Sequence, residues 1–196
     1  MEYLEKMIRE KKIRPSSSSV GSPIVFVPKP NGKRLRLCVD YRHLNAHTKK
    51  DKTSLPIMDE LSRKIRGATF ITKIDMRAGF NLIRMSLGHE KFMAFRTLFG
   101  LHEYMVMPFG LTNAPATFQQ EINRILRPLL GMELVINTRE EIDKDGGMVV
   151  VAFIDDIPIA TKGSIDKHHI QVRKVFQLLM DNNMCVEIDK CIFDAQ

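Results

Sequence analysis

Met148-Val149-Val150-Val151-Ala152-Phe153-Ile154-Asp155-Asp156-Ile157-Pro158-Ile159-Ala160-Thr161 is the stretch whose reading decides this chain. The unbroken apolar run over 148–154 predicts a buried strand. Asp155 and Asp156 interrupt it, and β character resumes over 157–161, so the two acids are expected in a hairpin bend. Two adjacent negative charges at the end of a buried strand repel one another and need compensating cations. A divalent metal is the economical answer. Successive strand residues point to opposite faces, so Asp155 and Asp156 do not both meet one ion with regular geometry, and one of them is the better ligand.

Working back along the chain, residues 69–75 alternate Phe70, Thr72 and Ile74 with Ile71, Lys73 and Asp75, which places an acid at the end of one face of a half-buried strand. Gly79 then permits a tight turn. An isolated strand-end Asp more often forms a turn or a cap than a catalytic site. If the strands carrying Asp75 and Asp155 are neighbours, however, their carboxylates converge and can hold two Mg²⁺ ions about 3.5 to 4 Å apart, the arrangement used for in-line phosphoryl displacement.

The surrounding elements follow from local signals. Residues 2–13 predict a short basic helix, broken by Pro15, four serines and Gly21. Two short strands, 24–27 and 35–39, flank Pro28, Pro30, Asn31 and Gly32, a hairpin whose tip carries Lys29, Lys33, Arg34 and Arg36. Ser54 and Pro56 open a helix that places Met58, Leu61 and Ile65 on one face, and Gly67 closes it. Asn113 is a candidate N-cap for a helix bearing Phe118, Ile122, Ile125 and Leu129, terminated at Pro128 and Gly131. Ser164 caps a helix with His169, Val172, Phe176 and Leu179 on one stripe, and a strand is expected over 184–188. Helix, strand, helix, strand pair, helix, strand implies an α+β fold with helices packed on one face of an antiparallel sheet.

Charge is unevenly spread. The chain carries 30 Lys and Arg against 23 Asp and Glu, a net +7, and residues 1–50 hold twelve of those bases with four acids. This basic quarter suits phosphates, although a solvated basic face has the same composition. Three cysteines without a CxxC spacing support neither a disulfide framework nor a zinc knuckle. No stretch approaches the roughly 18 apolar residues of a membrane span, and residues 1–14 are too charged for a secretory signal, so a soluble intracellular protein is expected. Asp143, Asp145 and Gly146 make no calcium loop, because Ala152 falls where the bidentate acid belongs. His43, His47, His168 and His169 lack the partners of a zinc site.

Phe153-Ile154-Asp155-Asp156 resembles the Tyr/Phe-x-Asp-Asp box of reverse transcriptases. Val39-Asp40-Tyr41-Arg42-His43-Leu44-Asn45, Asp75 through Phe80, and Met107-Pro108-Phe109-Gly110-Leu111-Thr112-Asn113-Ala114-Pro115-Ala116-Thr117-Phe118-Gln119 are similar to the successive motifs of gypsy-type LTR retrotransposon polymerases. The resemblance runs from about residue 13 to 193. It implies the fingers and palm of a right-hand polymerase, with 1–49 and 83–112 as fingers and 50–82 and 113–196 as palm. The thumb, connection and RNase H regions that follow in the family would then be absent from this sequence.

The same resemblance implies the site. Asp75 and Asp155 would hold two Mg²⁺ ions, or Mn²⁺ in their place, with the Met76 carbonyl completing one coordination sphere and Asp156 in support. The backbone of Ala78 and Gly79 would receive the triphosphate. Phe80 matches the steric gate that excludes a ribose 2′-hydroxyl, though core packing explains an aromatic there as well. Lys29 and Arg36 match residues that grip the incoming phosphates, and surface charge is the competing explanation. Phe109 would pack against the base, Gly110 would let the backbone approach nucleotide and template, and Gln119 would lie near both. Lys190 resembles a lysine that protonates the departing pyrophosphate, although an exposed lysine is commonly a surface charge.

Two further departures from the family pattern stand out: the long acidic link over 132–147, and Pro158, where an aliphatic residue is usual. The implied function is RNA-directed DNA polymerisation with deoxynucleoside triphosphates on a primed RNA or DNA template. A homodimer is compatible with it, and the compartment would be cytoplasmic, including retrotransposon particles, or nuclear. The alternative is a truncated or repurposed polymerase fold that binds nucleic acid or protein partners without catalysis.

Overall fold

The computed structural model describes residues 2–28, 35–53, 62–130 and 147–195. In chain order its elements are α1 (Glu2–Arg9), β1 (Ile13–Pro15), β2 (Ile24–Pro28), β3 (Leu35–Val39), α2 (Arg42–His47), β4 (Phe70–Asp75), β5 (Ala94–Thr97), β6 (Gly100–Tyr104), α3 (Ala114–Leu130), β7 (Met148–Val150), β8 (Asp156–Thr161), α4 (Ile165–Asp181) and β9 (Ile192–Ala195). Short 3₁₀ turns lie at Gly79–Leu82, Glu90–Met93 and Ile188–Lys190. The chain divides into two units, Met1–Asp51 with Phe80–Pro115, and Lys52–Gly79 with Ala116–Gln196. The fold is α+β, and every strand pair within the sheets is antiparallel.

In the first unit, β6 lies between β1 and β5. Neither the β5–β6 hairpin nor β1 was expected from sequence, because short, half-polar strands carry little periodicity. Leu4 and Met7 of α1 join Ile13, Val39, Tyr41, Met93, Phe95, Tyr104 and Val106 in one core. Tyr41 keeps its hydroxyl satisfied there by donating to the Met93 carbonyl at 3.0 Å. β2 and β3 form a separate ribbon in register from Ile24↔Val39 to Pro28↔Leu35. The tip of that hairpin, with Lys29, Lys33 and Arg34, lies outside the described residues.

The second unit is built on a four-stranded sheet in the order β7-β8-β4-β9. β4 and β8 pair from Phe70↔Thr161 to Asp75↔Asp156. Thr72, Ile74, Ile157, Ile159 and Thr161 alternate onto one buried face. His168 of α4 packs on that face, its ring nitrogens 2.7 Å from the Thr72 and Thr161 hydroxyls. The buried stripe of α4 is His168, Val172, Val175 and Leu179. His169 is exposed instead of buried: both stripes have helical spacing, and the hydroxyls on the sheet select the one headed by His168. The other side of the sheet carries Val149 and Ala160, packed by Ile65, Ala68, Ile71 and Val151.

Two further elements depart from expectation, and a third is only partly described. α3 passes Pro128, the first of the two expected stops, and is helical to Leu130, next to Gly131. The strand expected over 184–188 is reduced to a single bridge, Met76↔Val186, and the edge strand forms later as β9. Of the helix expected from Ser54, residues 62–64 are helical, whereas 54–61, like the acidic link over 132–146, lie outside the described residues.

Pro158 sits inside β8 opposite Lys73 without breaking the ladder to β4. Its carbonyl accepts from Val151 N at 3.2 Å, on the β7 side. A strand residue's N–H and C=O share one side, so the donor that proline lacks faces the region where β7 has already ended.

Candidate active site

Asp75 ends β4 directly across from Asp156, the first residue of β8. Only Asp155 occupies the bend, with Ile154. The loop is closed by Phe153 N donating to the Asp156 carbonyl at 2.8 Å and Asp156 N donating to the Phe153 carbonyl at 3.1 Å. A two-residue loop of this kind often takes a positive φ at its first residue, a place that favours glycine. Here Ile154 takes it, at φ 53°, an unfavourable conformation for a β-branched residue.

Gln119 of α3 holds that loop in place. It is 1% exposed, and its Oε1 accepts the Ile154 N–H at 3.1 Å while its Nε2 donates to the Ala152 carbonyl at 2.8 Å and to Asn123 Oδ1 at 3.0 Å. Met76 N donates to the Asp155 carbonyl at 2.9 Å, tying the bend to the end of β4. Ala78 follows with φ 52°. Gly79 is buried, and a Cβ there would collide with Asp155 Oδ1 and come within 3.0 Å of the Phe118 ring. Any larger residue here would have to displace the Asp155 carboxylate or the Phe118 ring.

The three acids are compensated unequally. Asp156 Oδ2 lies 3.0 Å from Lys73 Nζ, and Asp75 Oδ1 lies 3.7 Å from Lys190 Nζ. Asp155 Oδ1 is buried with no hydrogen-bond partner. Burial, with added repulsion from Asp75 and Asp156, pushes the Asp155 carboxyl above its ordinary pKa, and Lys190 partly opposes the shift. An unpartnered buried carboxylate oxygen calls for a proton or a cation. The donors are all hard oxygens, so their chemistry fits Mg²⁺ or Mn²⁺. Among the described residues, no three His, Cys, Asp or Glu side chains are gathered closely enough to hold an ion by themselves.

The remaining candidates belong to the first unit. Phe80 and Phe109 pack with ring centroids 5.1 Å apart, and Phe109 is 45% exposed. Gly110 takes φ +98°, and its carbonyl accepts from Asn45 Nδ2 at 2.7 Å. Asn45 Oδ1 also accepts from Thr112 N at 2.9 Å, so α2 braces this turn. Arg36 is exposed on β3, while Lys29 lies outside the described residues.

The structure thus brings together Asp75, Met76, Ala78, Gly79, Gln119, Asp155, Asp156 and Lys190 in the second unit. Three neighbours were missed. Lys73 shares Asp75's strand face two residues earlier, a signal that alternation carried. Glu187 and Cys191, which touch the Asp75 backbone, had no such signal.

The chain is similar to known proteins in sequence and in fold. The family described as "Reverse transcriptase (RNA-dependent DNA polymerase)" matches residues 27–195. The chain is 36% identical over 194 residues to the "Retrovirus-related Pol polyprotein from transposon 297" of Drosophila melanogaster, and 38% identical over 181 residues to the "Transposon Tf2-3 polyprotein" of Schizosaccharomyces pombe. These alignments cover 97% and 92% of this chain, which spans only 17% and 12% of those relatives' lengths. Among solved structures, the native prototype foamy virus protease-reverse transcriptase aligns with a TM-score of 0.77 at 23% identity, covering 97% of this chain and 23% of the other. The foamy viral protease-reverse transcriptase dRH in complex with dsDNA aligns at 0.79 and 21%, covering 97% and 30%. At such identities the likeness speaks to fold alone.

Proposed function

Because the chain belongs to the reverse transcriptase (RNA-dependent DNA polymerase) family, we propose that it adds deoxynucleotides to a primer 3′-hydroxyl on an RNA or DNA template by two-metal-ion catalysis. The observation that carries the reading is the buried, unpartnered Oδ1 of Asp155 at the end of a strand pair that also sets Asp75 against Asp156. In this reading Asp75, Asp155 and the Met76 carbonyl would hold two Mg²⁺ ions, or Mn²⁺, with Asp156 in support. When bound, the ions supply the charge that activates the attacking hydroxyl and stabilises the leaving pyrophosphate.

The protein's own groups do the rest. Gln119 and Gly79 fix the bend so that Asp155 faces inward without a competing side chain, and in this reading Gln119 also lies near nucleotide and template. The Ala78 and Gly79 backbone receives the triphosphate, and Lys190 holds a proton on Nζ for the departing pyrophosphate. Residues 1–49 and 83–112 act as fingers, and 50–82 with 113–196 act as palm. Lys29 and Arg36 draw in the phosphates, Phe80 blocks a ribose 2′-hydroxyl, Phe109 packs on the base, and Gly110 gives the template room. The basic residues of 1–50 suit a nucleic-acid partner. Among the described residues no helix is long and apolar enough to cross a membrane. The reading includes an intracellular setting, cytoplasmic within retrotransposon particles or nuclear, and a homodimer as one assembly.

A second reading is favoured by the two ion pairs. Lys73 and Lys190 already neutralise Asp156 and Asp75, as suits a fold that binds nucleic acid without catalysis. Primer extension on an RNA template with Mg²⁺ separates the readings, comparing deoxynucleotides with ribonucleotides and wild type with Asp155→Asn. The catalytic reading expects extension with deoxynucleotides and none from the variant. Retained duplex binding with no extension by wild type leaves the second reading in its place.

A further inference from the structure

Asp75 stands at the end of β4, where the paired part of β9 does not reach it: β9 pairs with β4 at Ile71↔Ala195 and Lys73↔Ile192. The backbone groups of Asp75 on that edge would be open to water in a strand that simply frayed. They are held instead by the segment that precedes β9. The Asp75 carbonyl accepts from Glu187 N at 3.0 Å, and the Asp75 N–H donates to the Cys191 sulfur at 3.4 Å. The thiol in turn reaches the Glu187 carbonyl at 3.5 Å, which links the two contacts. One residue further, Arg77 N donates to the Cys185 carbonyl at 2.9 Å. Glu187 and Cys191 flank the 3₁₀ turn Ile188–Lys190, whose Lys190 meets the Asp75 carboxylate.

We propose that Cys191 is a positioning residue for Asp75: its sulfur receives the Asp75 backbone N–H where the sheet has no strand to do so, and with Glu187 it clasps the peptide that aims the carboxylate. The role is that of a hydrogen-bond acceptor, and no nucleophilic chemistry is asked of the thiol. A strand residue presents its N–H and C=O to the same side, so one side chain and one amide capture both groups and leave the other edge free for β8. Cysteine suits the place because its long C–S bonds and soft sulfur accept at distances where a hydroxyl falls short. A substituent added to the sulfur would occupy the space of the donated hydrogen and displace the peptide.

This inference rests on the polymerase reading for its meaning, but its test does not require activity. Amide hydrogen exchange read residue by residue by NMR on the 196-residue chain is the measurement. In wild type the Asp75 amide should exchange slowly, like that of Met76, which donates to Asp155. Cys191→Ala should speed the Asp75 amide by about tenfold or more while Thr72 and Ile74 stay protected, because only the local bond is lost. Cys191→Ser should fall between the two. In primer extension, Cys191→Ala should lower kcat with little change in the KM for deoxynucleotide, and Cys191→Ser should recover part of the loss. A fast Asp75 amide in wild type overturns the proposal, and this arm needs no variant to fold. So does an Asp75 amide equally slow in Cys191→Ala. Absence of extension by wild type with a protected, Cys191-dependent Asp75 amide would count against the polymerase reading and leave the clasp intact.

Discussion

Asp75 and Asp156 face one another across the β4–β8 ladder, each with its own lysine: Lys190 at 3.7 Å from the first and Lys73 at 3.0 Å from the second. Like charges directly opposite in a sheet are destabilising, so these lysines offset a repulsion that the strand register imposes. A bound divalent cation would take over that task.

Lys73→Ala should therefore destabilise the protein most when divalent cations are absent. Lys73 and Asp156 are each about 40% exposed. Solvent screening then keeps the loss below about 1 kcal/mol. Urea denaturation with chelator and again with millimolar Mg²⁺ checks this, and an equal loss in both would remove the lysine from the charge balance.

Gln119→Leu keeps the volume but strands the Ile154 N–H and the Ala152 carbonyl. A buried polar group left unpaired costs about 1 to 3 kcal/mol; the Ala152 carbonyl is buried and the Ile154 N–H part-buried, so a loss of at least that size is expected together with severe loss of extension. Chemical denaturation and single-turnover extension read the two effects. A stable variant with unchanged rate would mean that Ile154 holds its positive φ without help.

Gly79→Ala places a methyl group against Asp155 and Phe118. Overpacking of this kind costs about 1 to 3 kcal/mol, and the displaced carboxylate should cost the enzyme most of its activity. Normal Tm with normal extension would show that the bend yields easily.

If Phe80 is the gate proposed above, Phe80→Val should raise ribonucleotide incorporation relative to deoxynucleotide, because the ring that would block the 2′-hydroxyl is trimmed. The ratio of kcat/KM for the two sugars is the readout. An active variant with unchanged sugar selectivity would return Phe80 to a packing role against Phe109.

His168 supplies a pH test away from the acids. Burial lowers its pKa; Asp194 opposes the shift, and neighbouring His169 adds to it. A histidine with a depressed folded pKa binds its proton more readily in the unfolded chain. Stability should therefore be full above the ordinary histidine range and decline as pH falls through it towards the folded value. Denaturation between pH 7.5 and about 5 should show this limb in wild type and lose it in His168→Gln. A flat profile would mean that the imidazole takes up its proton as readily in the folded protein as in the unfolded chain.

Much of this was legible in residue order. The apolar run before Asp155, the alternation ending at Asp75 and the cap at Ser164 are local patterns; the structure has a strand ending at Asp75 and a capped helix after Ser164, while the run over 148–154 is a strand only at Met148–Val150. Where two local patterns competed, as between the stripes headed by His168 and His169, the sequence held no arbiter. The arbiter was a pair of threonine hydroxyls on strands 96 and 7 residues away along the chain.

By itself, then, the sequence determined which acids stand at strand ends, because backbone periodicity and turn chemistry act over a few residues. Tertiary structure alone decided that Asp156 rather than Asp155 faces Asp75, that Asp155 buries an unpartnered oxygen, and that Gln119, Lys73 and Cys191 brace the group. Those facts depend on strand register and on contacts between distant segments, and a burial or a hydrogen bond exists only once the partners have been brought together.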